Sequence, residues 1–320
     1  MVTLSNHETR IPAGSFLRCS SDAVNKGQRV ANVVDMSAHI YSGDRTRFPL
    51  AQRLRGKLPV WAKGRQSLPA EEFLDLMREN GVYQAALVHQ MAVYDTDHSY
   101  VLDVRKRYPE SFVVMGAIDI AYRHALSMAA WLAEEPVDIL RFEHADAMDP
   151  ELWLNAPQTT PLWEEASRAG IPVSIPFVQM RHVPTLRRVI ERYPSIPMLL
   201  RRLGGPPTED GPPYIAAQDF FSLAEFPNVY FIFSRENIRA AEKGKSTPRA
   251  FFETCISKFG AKRLMWGSYY GTNVATGDMQ YKDLIDDVRN GLSFLGQEDR
   301  DFLLGESARS LLPGLRSAVA

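Results

Sequence analysis

Short apolar, β-branched runs alternate along this chain with longer amphipathic stretches, and the alternation repeats eight times from Ala31 onward. The runs are Asn32–Met36, Gln84–Gln90, Phe112–Asp119, Asp138–Glu143, Ile171–Pro176, Pro197–Arg202, Val229–Ser234 and Arg263–Ser268. Each predicts a buried strand, because parallel strands covered on both faces show continuous apolar positions. The stretches between them predict helices over Ala70–Asn80, Ser99–Tyr108, Ala121–Ala133, Pro161–Ala169, Pro184–Tyr193, Ala216–Ala224, Thr247–Phe259 and Leu284–Leu295. Asn80-Gly81, Ala169-Gly170 and Tyr193-Pro194 mark several of their ends. A further helix is predicted over Gln297–Leu312. Eight such units in 320 residues predict an α/β fold, a closed (β/α)8 TIM barrel. An open doubly wound sheet is the alternative, weakened because no glycine-rich phosphate loop follows the first run. Residues 1–28 read as an N-terminal arm and 29–320 as one barrel domain with a C-terminal extra helix.

Composition adds exclusions. The apolar share is 45%, the charged share 23% and the net charge −1. Such a chain has a core and lacks the global field that recruits nucleic acid or membranes. Any anion site must come from a local cluster. Two cysteines, Cys19 and Cys255, make neither a disulfide framework nor a zinc site; they read as reduced thiols in a cytoplasmic protein. No apolar run approaches the ~18 residues of a membrane helix. The segment from Met1 to Gly14 is polar and broken by Pro12, unlike a signal peptide.

In a barrel of this kind chemistry sits at the C-terminal ends of the strands. Those ends here are Asp35-Met36-Ser37-Ala38-His39, Val88-His89-Gln90, Arg141-Phe142-Glu143-His144, Ser174-Ile175-Pro176, Arg201-Arg202-Leu203-Gly204, Ser234-Arg235-Glu236 and Ser268-Tyr269-Tyr270-Gly271. Arginine offers a planar fork for carboxylate or phosphate. Arg141, Arg202 and Arg235 facing one pocket would suit an anionic or carbonyl-bearing ligand. The competing reading pairs each with a neighbouring acid such as Glu143 or Glu236. Alternation lets only one of His89 and Gln90 face the pocket, and which of Glu143 and His144 points inward is open. A hydrolytic zinc site needs about three converging ligands. His39 stands alone with Ser37 two residues before it, and no His-x-His pair occurs.

These strand ends, with Val93–Tyr100, Tyr108–Phe112, Leu203–Pro206 and Arg263–Ser268, resemble the amidohydrolase-related barrel family that includes dicarboxypyrone lactonases and metal-dependent aromatic-acid decarboxylases. The resemblance runs from about Val33 to Leu312, and it favours Gln90 over His89 at the pocket. It also implies a metal site, and here the chain departs. The family's Asp-x-His-x-His is Asp35-Met36-Ser37-Ala38-His39, its strand-five histidine falls at Pro176, its strand-six Asp-His at Arg201-Arg202, and its strand-eight aspartate at Tyr269. The resemblance thus implies the ligand positions and the residues present imply no metal and no other cofactor.

Without a metal, water is a poor nucleophile at neutral pH. A fixed guanidinium at Arg202 can stabilise a developing oxyanion, His39 can shuttle a proton, and Tyr269 or Tyr270 could donate to an enolate or serve as the acid. Arg141 holds a substrate carboxylate, with Ser37, Gln90, Glu143, Arg235 and Tyr270 as further substrate-binding candidates. The set points to a metal-independent lyase or cyclase (dehydration, ring closure or decarboxylation) acting on a small carbonyl- or carboxylate-bearing metabolite, in keeping with specialised metabolism. A metal-free hydrolase of a lactone or activated amide is the second reading, and a non-catalytic ligand-binding pseudoenzyme the third. The expected partner is a small-molecule substrate; related barrels suggest a homodimer.

Overall fold

A computed structural model describes residues 33–59, 62, 65–143, 153–175, 179–272 and 279–315. The predicted arm, Cys19, His144 and Pro176 lie outside the described residues.

Eight parallel strands form one sheet in sequence order. They are β1 Val33–Ala38, β2 Val82–Val88, β3 Phe112–Asp119, β4 Ile139–Glu143, β5 Val173–Ile175, β6 Met198–Arg201, β7 Val229–Phe233 and β8 Leu264–Trp266. An isolated bridge between Ala38 and Tyr270 brings the last strand's end back to the first, so the sheet closes as the predicted barrel. Two apolar layers follow from strand alternation. One face of the strands (Leu87, Val114, Leu140, Leu200, Phe231) packs against the surrounding helices. The other (Val34, Met36, Ala86, Val88, Val113, Met115, Ile139, Leu199, Ile232, Met265) fills the interior.

The interior is sealed at the start of the strands by the C-terminal helical run. Ala308, Leu312 and Leu315 join the interior cluster, and Ser307 Oγ donates to the carbonyl of Ala261, just before β8, at 3.0 Å. That run is one continuous helix from Gln297 to Leu311 with a π turn at Phe302–Glu306. Polar groups are thereby left to the opposite end.

Differences from the predicted elements are local. The helix expected at Ala121 begins at Ala125, because the Asp119 carboxylate accepts the Ala121 amide and turns the chain first. The helix expected over Leu284–Leu295 spans Tyr281–Gly291, started by a capping box between Gln280 and Asp283. The stretch Ala216–Ala224 is a helix only over Gln218–Ser222, flanked by 3-10 turns. No described helix is long and apolar enough to cross a membrane.

Candidate active site

Register places the polar residues of three neighbouring strands on the interior face. Arg141 on β4 lies beside Ser174 on β5, Ser174 beside Leu199 on β6, and Arg201 beside Ile232 on β7. Leu199 and Ile232 belong to the interior cluster, so Arg141, Ser174 and Arg201 point the same way. Glu143, two residues beyond Arg141, shares its face. Its carboxylate is gripped by both arginines: Arg141 Nε donates to Oε1, and Arg201 donates to Oε2 at 3.1 Å. Burial alone would raise the Glu143 carboxyl, but Arg141 and Arg201 hold it below its ordinary value. Burial, then Arg201, pushes the Arg141 guanidinium down to about 10.

Arg202 follows with its guanidinium 4.9 Å from the centroid of the Tyr269 ring. Its carbonyl accepts from Asn237 Nδ2 at 2.9 Å. Arg202, Leu203 and Tyr269 have φ of 51°, 56° and 56°, the left-handed region that costs a residue with a Cβ roughly 1–2 kcal/mol. Strained backbone of this type gathers at functional sites. Here it occurs at the ends of β6 and β8, where the two side chains meet.

Tyr269 belongs to the interior cluster, and burial raises its phenol, against the pull of Arg201, Arg202 and Arg141. His39 is buried at the end of β1. Burial drives its imidazole well below the ordinary value, and Arg141, Arg201, His89 and Arg202 push the same way. It is therefore neutral near pH 7. Around this centre several buried polar atoms have no hydrogen-bond partner among the described residues: Ser37 Oγ, His39 Nδ1, Gln90 Nε2, Arg141 Nη1, Ser174 Oγ and Tyr269 OH. Native proteins rarely leave such atoms unsatisfied; these come from the ends of β1, β4, β5 and β8 and from the turn after β2.

Two sequence candidates stand apart. Arg235 is committed to Asp287, which also takes Arg239. Tyr270 packs outward, stacked on Phe73 at 6.2 Å and against Tyr281 at 5.2 Å, with its hydroxyl 3.4 Å from Arg65. Ser174 and Arg201 are not among the sequence candidates, and Arg201 pairs with an acid, Glu143, from within the site. Nothing in the sequence marks Ser174; Arg201 was visible as the neighbour of Arg202. His89 and His98 are both buried and stack at 3.7 Å, each bonded to a loop carbonyl, of Asp95 and Thr96. They brace the loop after β2 beside Gln90.

A divalent cation does not fit this donor set. Among the described residues no three His, Cys, Asp or Glu side chains converge, and the position next to Tyr269 holds a guanidinium.

Fold and rim together define an amidohydrolase-type barrel with an arginine-lined end. The family model for amidohydrolases (Amidohydro_2) matches residues 34–314, and the chain belongs to this family. An L-fucono-1,5-lactonase from Burkholderia ambifaria is 26% identical over 201 residues, covering 60% of this chain and 66% of the lactonase. The chain thus matches just under two thirds of that relative's length. Among solved structures it is similar to a probable 2-pyrone-4,6-dicarboxylic acid hydrolase from Acinetobacter baumannii with citric acid bound (TM-score 0.67, 16% identity, 88% of this chain and 98% of that chain). It is also similar to an amidohydrolase from Burkholderia multivorans with bound zinc (TM-score 0.64, 15% identity, 88% and 99%) and to 5-carboxyvanillate decarboxylase from Sphingomonas paucimobilis (TM-score 0.61, 14% identity, 88% and 99%). These likenesses show the fold.

Proposed function

We propose that this protein is a metal-independent lyase or cyclase that performs acid–base chemistry on a small carbonyl- or carboxylate-bearing metabolite. The observation that carries the reading is the charge balance around two proton-transfer groups. Arg141, Arg201 and Arg202 surround His39 and Tyr269, and Glu143 is the acid that Arg141 and Arg201 share. That leaves an excess of partly buried positive charge facing a neutral imidazole and a neutral phenol. An anionic substrate relieves the excess.

Bound there, a carbonyl compound would have its oxygen against Arg202 and its carboxylate on Arg141. His39 would take a proton from the carbon next to the carbonyl, and the enolate formed would be stabilised by fixed positive charge rather than by a reorganising solvent. Tyr269 would deliver a proton to a leaving hydroxyl, released as water, or the enolate carbon would close on an electrophile in the same molecule. For a β-keto acid the carboxylate would leave as carbon dioxide, and the carbanion would recover its proton from the acid. None of these routes needs water as the nucleophile.

Similarity to a lactonase supports a second reading, metal-free lactone hydrolysis. One experiment separates the readings. A panel of keto acids, aryl carboxylates and lactones is screened by thermal shift, and stabilising compounds are incubated in 18O-labelled water and followed by mass spectrometry. The proposed function predicts turnover with loss of water or carbon dioxide, or an isomeric product, and no 18O uptake from an attacking water. Product carrying the label at the acyl carbon would establish hydrolysis instead, and ligands returned unchanged would establish a binding protein.

A further inference from the structure

The first and last strands meet without a ladder. Neighbouring strands from β1 to β8 are joined by backbone pairing, but β8 and β1 share the isolated Ala38–Tyr270 bridge. It consists of Tyr269 N donating to the Ser37 carbonyl at 2.6 Å and His39 N donating to the Tyr270 carbonyl at 2.9 Å. Earlier along the seam, a side chain replaces the backbone. Asp35 is fully buried. Its Oδ1 accepts the amides of Ser37 at 3.0 Å and Ser268 at 2.8 Å; its Oδ2 accepts Ser268 Oγ at 2.5 Å and the Tyr281 hydroxyl at 3.1 Å.

This carboxylate therefore ties β1 to the end of β8 and to the helix Tyr281–Gly291. It also shapes its own strand, because the β1 register shifts between Asp35 and Ala38, where it holds the Ser37 amide. Ser37 lies within that irregularity and His39 just beyond it. Close approach across the seam is built in: a Cβ on Gly267 would lie 3.0 Å from Ser37 Cβ, and one on Gly271 would lie 1.9 Å from the His39 carbonyl oxygen.

We propose that Asp35 is the positioning residue of this site, its buried carboxylate setting the spacing between His39 on one side of the seam and Tyr269 on the other. Its bearing on chemistry rests on reading His39 and Tyr269 as the acid–base pair. Its bearing on the seam does not.

The test is Asp35→Asn in the full chain, a change of shape too small to create a cavity. An amide presents one acceptor oxygen where the carboxylate presents two, so the network loses at least one of its charged hydrogen bonds. Amide hydrogen exchange should quicken at His39 and Tyr269 by about tenfold or more, the equivalent of one such bond. The amides of His89 and Met198, which sit on ladders elsewhere in the barrel, should keep their protection. The imidazole 15N resonances of His39 at fixed pH should move as well. Once a substrate is in hand, kcat should fall by a similar factor with KM little changed. Uniform loss of protection around the barrel, or an undisturbed seam with an unmoved His39 spectrum, would overturn the proposal. Should Asp35→Asn not fold, Ser268→Ala removes the hydroxyl that donates to Asp35 Oδ2 and accepts the Tyr270 amide, and it should give the same loss of protection confined to the seam, with the Asp35–Ser37 and Asp35–Tyr281 bonds kept. The exchange and NMR readouts need no substrate, so a fruitless substrate search would count against the acid–base reading and leave this one to be judged separately.

Discussion

Single residues carry the functional argument through their charge states. His39 is held neutral first by burial and then by the nearby guanidinium groups. Its folded-state value lies below the unfolded value of about 6.5, so the unfolded chain takes up a proton first as the pH falls. The contribution to stability is full above about pH 6.5 and is lost progressively as the pH drops from there through the folded value. His89 is lowered well below, and His98 lowered, for the same leading reason, burial. Urea unfolding followed from about pH 7.5 to about pH 5 should therefore show a falling midpoint, and His39→Gln should make the fall shallower, by up to about 1.4 kcal/mol for each pH unit in that window. Equal slopes for the two proteins would place His39 outside this account. Tyr269→Phe isolates the hydroxyl. The ring beneath Arg202 remains, so anion binding should persist, while turnover of a substrate found in the panel should drop by about 10²-fold or more, the usual worth of a general acid. A Phe variant with full kcat would hand that role to another group.

At the scale of elements, the strands were legible because each is a continuous apolar run. Their functional ends were less so. Period-two alternation assigns a face to each residue only while the backbone stays extended. Arg202 and Tyr269 are left-handed, so counting by twos fails at the very positions that matter. That is why Arg201 and Arg202 reach the same end of the barrel, one on Glu143 and the other over Tyr269, and why Tyr269 turns inward while Tyr270 turns out. The helix Arg235–Ala240 was missed, although Ser234 and Asn237 form a capping box that announces it. Arg235 sits in its first turn and so reaches Asp287 instead of the pocket. The role of Asp35 was not legible, since its partners Ser268 and Tyr281 lie more than 200 residues away. Element-level tightness can be tested at Gly271. At φ 85°, with the His39 carbonyl in the space a Cβ would need, Gly271→Ala should destabilise the chain by more than about 1–2 kcal/mol, the left-handed cost alone, and displace the seam. A neutral result in urea unfolding would mean that the two strands do not approach so closely.

Across the whole molecule, the barrel is divided into an apolar end and a polar end. Leu312 and Leu315 stop the former, leaving buried charge at the latter to be supported by a rigid, packed interior. Leu312→Ala removes a stopper from a nearly inaccessible site and should cost about 2–5 kcal/mol in denaturant unfolding, the range for such truncations. It should leave the affinity for a carboxylate ligand unchanged. A matching loss of affinity would show that the two ends are coupled.

The left-handed backbone at positions 202 and 269 has a consequence for how this barrel can change. Asn and Asp enter that region more readily than bulkier residues. At these two positions a short acid or amide would hold the observed φ with less strain than the residue present. Side-chain identity and rim geometry are separable at these points. Asp or Asn at position 202 or 269 would therefore fit the existing backbone without a change of φ.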